Sequence, residues 1–218
     1  MDPEFWHERW QKNELGFHQD GINAHLQRVW PTLGLDPAAR IFVPLCGKSR
    51  DMLWLAGQGH KIVGVEISPI AVEAFFNENQ LTPTKSVETS FTRWQAGEIS
   101  LLLGDFFQLE PRHIEPVGGV YDRASLVALP PAMRPRYAQH MAKLLPPGTQ
   151  TLLVAFDYPQ SEMNGPPFSV PKREVESLFS PYFDVELRYS EDILESNPRF
   201  RERGLTSMIE EIYRLRRK

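Results

Sequence analysis

Ile41-Phe42-Val43-Pro44-Leu45-Cys46-Gly47-Lys48-Ser49 runs from a short apolar stretch into a turn with one glycine. Ile41 to Leu45 reads as a strand. Ser49 can cap a following helix that carries Met52, Leu53, Leu55 and Ala56, and Gly57 and Gly59 supply its stop. A second strand, Lys61 to Glu66, comes next, and Ser68-Pro69 opens another helix with Ile70, Val72, Phe75 and Phe76 as its buried stripe. Strand and helix alternating at this spacing is the sequence form of an α/β fold on a mostly parallel sheet.

The alternation continues downstream. Ile99 to Leu103, ending at Gly104-Asp105, gives a third core strand, and Gly119 to Asp122, ending at Arg123, a fourth. Ala132 to Leu145 reads as a helix with Pro135 in its first turn, and Thr149 to Asp157 as a fifth strand apolar enough to be covered on both faces. Leu81 to Gly97 interrupts the series and predicts an edge strand or hairpin. Tyr158 to Pro171 holds too many prolines for regular structure and reads as a functional loop. A short helix over Lys172 to Phe179 precedes two last strands, near Phe183 to Tyr189 and Ser207 to Leu215, with no helix between them. That ending predicts one antiparallel strand near the C-terminus of a doubly wound sheet. Upstream, Phe5 to Trp10 and Gly21 to Leu33 look like amphipathic helices. The expectation is one domain over residues 1–218, with a helical segment over 1–35 and an α/β core over 40–218.

Composition narrows the function classes. The chain has 218 residues, 41% of them hydrophobic, and a formal net charge of -4, so it has core enough to fold but no basic field for a nucleic-acid backbone. Cys46 is the single cysteine, which excludes an intrachain disulfide and fits a reducing, cytoplasmic compartment. No basic, apolar leader opens the chain and no stretch is apolar for long enough to span a membrane. The histidines show no paired ligand spacing, so no metal is expected, and His7 and His18 read as surface or hydrogen-bonded residues.

In open α/β sheets ligands bind beyond the carboxyl ends of the strands, so the residues just past each strand carry the functional information. Gly47 permits close backbone approach, and Glu66, nineteen residues on and at the end of the next strand, can accept both hydroxyl protons of a ribose. Asp105 can accept from an adenine amino group while Phe106 packs a ring face. Asp122-Arg123 offers either a cation at the same rim or an internal ion pair. A phosphate-cradling loop ending in Gly47-Lys48-Ser49 would need glycine where Phe42 stands, and the dinucleotide fingerprint needs three glycines where this turn has one. An adenosine cofactor without phosphates therefore fits best, and S-adenosylmethionine is the leading candidate. A nicotinamide oxidoreductase and a non-catalytic nucleoside-binding module are the competing readings. Cys46 reads as a small residue in a tight turn, since no nearby histidine would activate it. Trp6, Trp10 and Phe17 form an aromatic stripe that serves either as core or as a lid over the strand ends.

Several segments together resemble the thiopurine S-methyltransferases, in particular their bacterial members. These are Phe5-Trp6-His7-Glu8-Arg9-Trp10, the Pro44-Leu45-Cys46-Gly47-Lys48-Ser49 turn, Val63-Gly64-Val65-Glu66, Gly104-Asp105-Phe106-Phe107, Tyr121-Asp122-Arg123 and Gly165-Pro166-Pro167-Phe168. The resemblance implies a class I methyltransferase fold with S-adenosylmethionine as donor and S-adenosylhomocysteine as product. It also implies an aromatic or heterocyclic thiol as acceptor, with selenium or tellurium species as further candidates. From charge and hydropathy neither nucleic acid nor membrane is an expected partner, and a monomer is the expected state. The resemblance places Trp10, Leu45, Gly47, Glu66, Asp105, Phe106 and Arg123 around the cofactor, with Trp6 beside them. Phe17, Arg123, Pro166, Pro167 and Arg199 would meet the acceptor, with Arg201 and Arg203 as neighbours that could replace Arg199.

Overall fold

In the computed structural model, residues 3–12 and 21–218 are described. Contacts divide the chain into two units, residues 1–121 and residues 122–218.

In the first unit, α1 (Pro3–Gln11) and α2 (Ala24–Val29) precede β1 (Arg40–Val43). Pro31 ends α2 and leaves only a single 3-10 turn over Trp30–Leu33, so the longer helix expected over Gly21 to Leu33 is broken in two. After β1 come α3 (Asp51–Gly57), β2 (Lys61–Glu66) and α4 (Pro69–Glu78). The expected start of α4 holds: Ser68 Oγ accepts from Ala71 N at 3.4 Å and Pro69 takes the first turn. Its buried stripe is Ala71, Val72, Phe75 and Phe76, and Ile70, expected in that stripe, is exposed because it projects from the opposite side of the first turn. β3 (Thr84–Val87) and β4 (Thr92–Ala96) form the hairpin expected between Leu81 and Gly97, and β4 pairs antiparallel with β5 (Ile99–Leu103). The one-turn helix α5 (Pro111–Ile114) leads to β6 (Gly119–Arg123), whose last residues cross into the second unit. β5, β2, β1 and β6 lie side by side in parallel. Ile41, Phe42, Leu101, Val120 and their neighbours on these strands are wholly buried, which is why the strands read as apolar runs without alternation.

The second unit contains α6 (Arg134–Leu144), β7 (Gln150–Asp157), α7 (Lys172–Phe179), β8 (Phe183–Asp192), α8 (Pro198–Glu202) and β9 (Ile209–Arg217). β9 pairs antiparallel with β7 along its length, from Gln150 opposite Arg216 to Asp157 opposite Ile209, and with β8 on its other side. This is the antiparallel strand expected near the C-terminus. The link between β8 and β9 corrects the expectation of no helix there: Asn197-Pro198 starts the short α8, which the run of charged residues around it conceals. Phe200 of α8 is buried with Tyr158, Met163, Ile193, Leu194, Leu205 and Met208 in a small apolar cluster of its own.

Candidate functional site

Where β1 ends, Leu45 is not strand but turn, with φ of 43°, and Gly47 follows with φ of 52°. A leucine in this region costs about 1 kcal/mol, so the turn must be held by its surroundings. Backbone bonds do part of this, Cys46 N donating to Val65 O at 3.0 Å and Ser49 N to Cys46 O at 3.1 Å. Glu66 does the rest. Its Oε2 accepts from Gly47 N at 2.8 Å and its Oε1 from Ser68 N at 2.8 Å, so one carboxylate joins the turns after β1 and after β2. Glu66 is only 6% exposed. Burial raises its pKa, and the amides of Ser68, Gly47 and Ile67, with the nearby His7, pull the other way. A carboxylate has about four acceptor positions, so these two bonds leave capacity for further donors.

Cys46 is buried beneath this turn, and burial, then the charge of Glu66, push its thiol well above the ordinary range. The expectation of a packed, unreactive thiol agrees with this. The packing is close: a Cβ at Gly64 would stand 2.7 Å from Cys46 Sγ and 2.7 Å from Leu101 Cδ2. Ser49, expected as the cap of α3, precedes the capping position, which Arg50 occupies, yet its Oγ still accepts from Asp51 N at 3.2 Å.

From α1, the indole of Trp10 is 5% exposed and faces the bare backbone of Gly47, 3.4 Å from where a Cβ would be. His7 Nε2 lies 3.2 Å from Ile67 O, at the end of β2. Trp6 is half-buried, its ring edge-on to Phe5 at 5.3 Å. Phe106 is buried and stacks on Phe42 of β1 at 6.5 Å, while Asp105 Oδ1 accepts from Phe107 N at 2.9 Å and caps the short turn after β5. Trp10, Leu45, Gly47 and Glu66 thus come together within the first unit, and Phe106 joins them through Phe42. Phe17 and His18 lie outside the described residues.

In the second unit, Asp122 turns inward. It is 1% exposed and accepts from Tyr137 Oη at 2.6 Å and Leu126 N at 3.3 Å. Burial pushes its pKa up to about 6. Arg123 is half-buried at the end of β6, and Arg199 is on α8. Burial, and then the positive charges of Arg123 and Arg203, hold Arg199 below the ordinary arginine range, so these guanidinium groups share one neighbourhood. Arg201 pairs with Glu195 instead. Pro167 is buried and its carbonyl accepts from Tyr158 Oη at 2.6 Å.

Two buried anchors escape the sequence reading. Asp51, 1% exposed, accepts from Asn23 N at 2.8 Å and Tyr121 Oη at 2.9 Å, tying the start of α2 and the middle of β6 to α3. Its acidic first-turn position looks like ordinary helix-dipole chemistry, which hides the long-range partners. Tyr158 is the other, and its position directly after a strand-ending aspartate is the available signal. No group of residues suited to a metal ion occurs among the described residues, and among them no helix is long and apolar enough to cross a membrane.

This arrangement can be set beside known proteins. The sequence profile of the thiopurine S-methyltransferase family matches residues 1–218. A thiopurine S-methyltransferase from Nitrosospira multiformis is 51% identical over 215 residues, covering 99% of this chain and 98% of the relative. One from Pseudomonas fluorescens is 48% identical over 216 residues, covering 99% of each. Among solved structures, a SAM-dependent methyltransferase from Anabaena variabilis superposes with a TM-score of 0.67 at 15% identity, covering 99% of this chain and 95% of that one. The 1,6-didemethyltoxoflavin-N1-methyltransferase of Burkholderia thailandensis, solved with S-adenosylhomocysteine, gives 0.62 at 14% identity over 98% of this chain and 87% of that one. These likenesses establish a SAM-dependent methyltransferase fold, and with the family match over its full length the chain belongs to the thiopurine S-methyltransferase family.

Proposed function

We propose that the protein transfers a methyl group from S-adenosylmethionine to the sulfur of a small aromatic or heterocyclic thiol such as a thiopurine. The observation that carries this reading is the Glu66 clamp: a buried carboxylate with acceptor capacity to spare, fixed at the end of β2 by the backbone of the turn after β1. The residues fit an adenosine cofactor without phosphates. Glu66 would take the ribose hydroxyls, Phe106 and Asp105 the adenine, and Trp10, Leu45 and Gly47 the cofactor's path across the turn, with Trp6 at its border. Bound there, the cofactor supplies an electrophilic methyl group on a sulfonium centre.

The protein's own share is orientation and exclusion of water. Holding acceptor sulfur and methyl carbon in line converts an encounter in solution into a near-unimolecular displacement, so no acid or base residue is required. Arg123 and Arg199 carry positive charge suited to a thiolate or to ring nitrogens, and Pro166 and Pro167 give the acceptor apolar walls. α1, which places Trp10 on Gly47 and His7 on Ile67, serves as a lid. The same reading takes residues 1–218 as one cytoplasmic domain acting as a monomer, with selenium and tellurium species as further acceptors, and without nucleic acid or membrane. The nicotinamide and binding-module alternatives are not favoured by the family. The test is transfer of labelled methyl to thiophenol and mercaptopurine, followed by mass spectrometry of the products. Turnover at background with both acceptors and with selenite would reject the proposal.

A further inference from the structure

The segment from Tyr158 to Pro171, expected to hold no regular structure, contains one 3-10 turn over Gln160–Glu162, started by Pro159, and is otherwise held by side-chain hydrogen bonds. Tyr158 Oη donates to the carbonyl of Pro167 at 2.6 Å. Gln160 staples the same loop from within: its Nε2 donates to Tyr158 Oη at 3.2 Å and to Met163 O at 2.6 Å, while its Oε1 accepts from Ser169 N at 2.9 Å. Ser169 Oγ in turn accepts from Tyr158 N at 3.0 Å. Beyond the prolines, Phe168 N donates to Val127 O at 2.7 Å and Val170 N to Phe156 O at 2.7 Å. Phe168 folds back on Gly165, where φ is +71° and a Cβ would lie 2.5 Å from its ring. Tyr158 and Gln160 are the two side chains that tie this loop together, and of the two only Tyr158 bonds the proline pair.

The ring of Tyr158 is equally fixed. It belongs to the same buried apolar cluster as Met163, Leu194, Leu205 and Phe200, and the guanidinium of Arg199 lies 4.9 Å from the centre of the Phe200 ring. Burial keeps the phenol protonated and so available as a donor.

We propose that Tyr158, supported by Gln160, is a positioning residue for the methyl acceptor: its hydroxyl sets the place of Pro166-Pro167, and its ring, through Phe200, that of the segment bearing Arg199. This rests on the reading that those prolines and Arg199 meet the acceptor. Tyr158 transfers no proton and touches no reacting atom. Its effect is confined to how the acceptor is held.

Tyr158→Phe keeps the ring and removes the hydroxyl, leaving the buried carbonyl of Pro167 without its donor. Steady-state kinetics with S-adenosylmethionine and mercaptopurine should show acceptor KM raised about tenfold, the scale expected from losing one buried hydrogen bond. Donor KM, and the affinity for S-adenosylhomocysteine by calorimetry, should stay within about twofold. Gln160→Ala should shift acceptor KM in the same direction by about threefold. An unchanged acceptor KM in Tyr158→Phe overturns the proposal, as does a parallel rise in both KM values with a fall in melting temperature, which would mark a merely structural role. Pro167→Ala is measured beside them. If it raises acceptor KM while Tyr158→Phe does not, the positioning role fails alone. If it leaves acceptor KM unchanged, the assignment of the prolines fails and the positioning role with it.

Discussion

Replacing Asp122 with asparagine should change how the protein's stability depends on pH, in a direction and by an amount that follow from the carboxylate's surroundings. Burial raises the Asp122 pKa from 3.8 to about 6, opposed by the hydrogen bonds from Tyr137, Leu126 and Ser125. The folded state therefore holds a proton more tightly than the unfolded chain, so the native protein binds more protons between about pH 4 and pH 6. In that window unfolding releases protons, and stability falls as pH rises. A difference of about two units corresponds to a loss of about 3 kcal/mol, fully expressed above pH 6 and absent below pH 4. The asparagine of the Asp122→Asn variant cannot ionise and escapes this loss, although trading one acceptor oxygen for a donor costs about 1 kcal/mol at every pH. Urea unfolding of both proteins at pH 4, 5, 6 and 7 separates the two effects. The variant should gain about 3 kcal/mol on wild type between pH 4 and pH 7, irrespective of the constant offset. A stability difference between the two proteins that stays constant across this range would refute the reasoning.

Glu66→Gln turns one of two acceptor oxygens toward Gly47 N or Ser68 N into a donor, so affinity for S-adenosylhomocysteine should fall by at least about tenfold by calorimetry, with a lower melting temperature. Gly64→Ala forces a methyl group against Cys46 Sγ and Leu101, and denaturant unfolding should show a loss of about 1–3 kcal/mol. The buried, high-pKa thiol of Cys46 should react with a thiol reagent at pH 8 only when the protein is unfolded, a difference visible in the time course with and without denaturant.

The parts of the fold most legible in sequence are those whose signal is local. β2, β5 and α7 fall on the expected residues, since Lys61–Glu66 and Ile99–Leu103 are bounded apolar runs and Lys172–Phe179 is bounded by proline and a turn. Leu45 reads as strand because its side chain is apolar, whereas its backbone conformation is dictated by the bonds that its neighbours Cys46 and Gly47 make with Val65 and Glu66, far along the chain. α8 is hidden because Arg199, Arg201 and Glu202 show no apolar period and only Phe200 is buried. At the candidate site, the pairing of Gly47 with Glu66 was legible from spacing, but the use of Glu66 as a clamp on backbone amides was not. Nothing in a sequence says which way an amide points. Asp51, Asp122 and Tyr158 show the same limit, each being a polar residue whose meaning lies in a partner that the chain reaches only after folding.

Beneath the turn after β1, the sulfur of Cys46 occupies the volume that a Cβ at Gly64 would claim. The two positions are therefore one site for the purposes of sequence drift. A larger residue at 64 becomes tolerable only after a smaller one has appeared at 46 and Leu101 has given way, and a smaller one at 46 leaves a void until 64 grows. Descendants of this chain should change at the two positions together and in order.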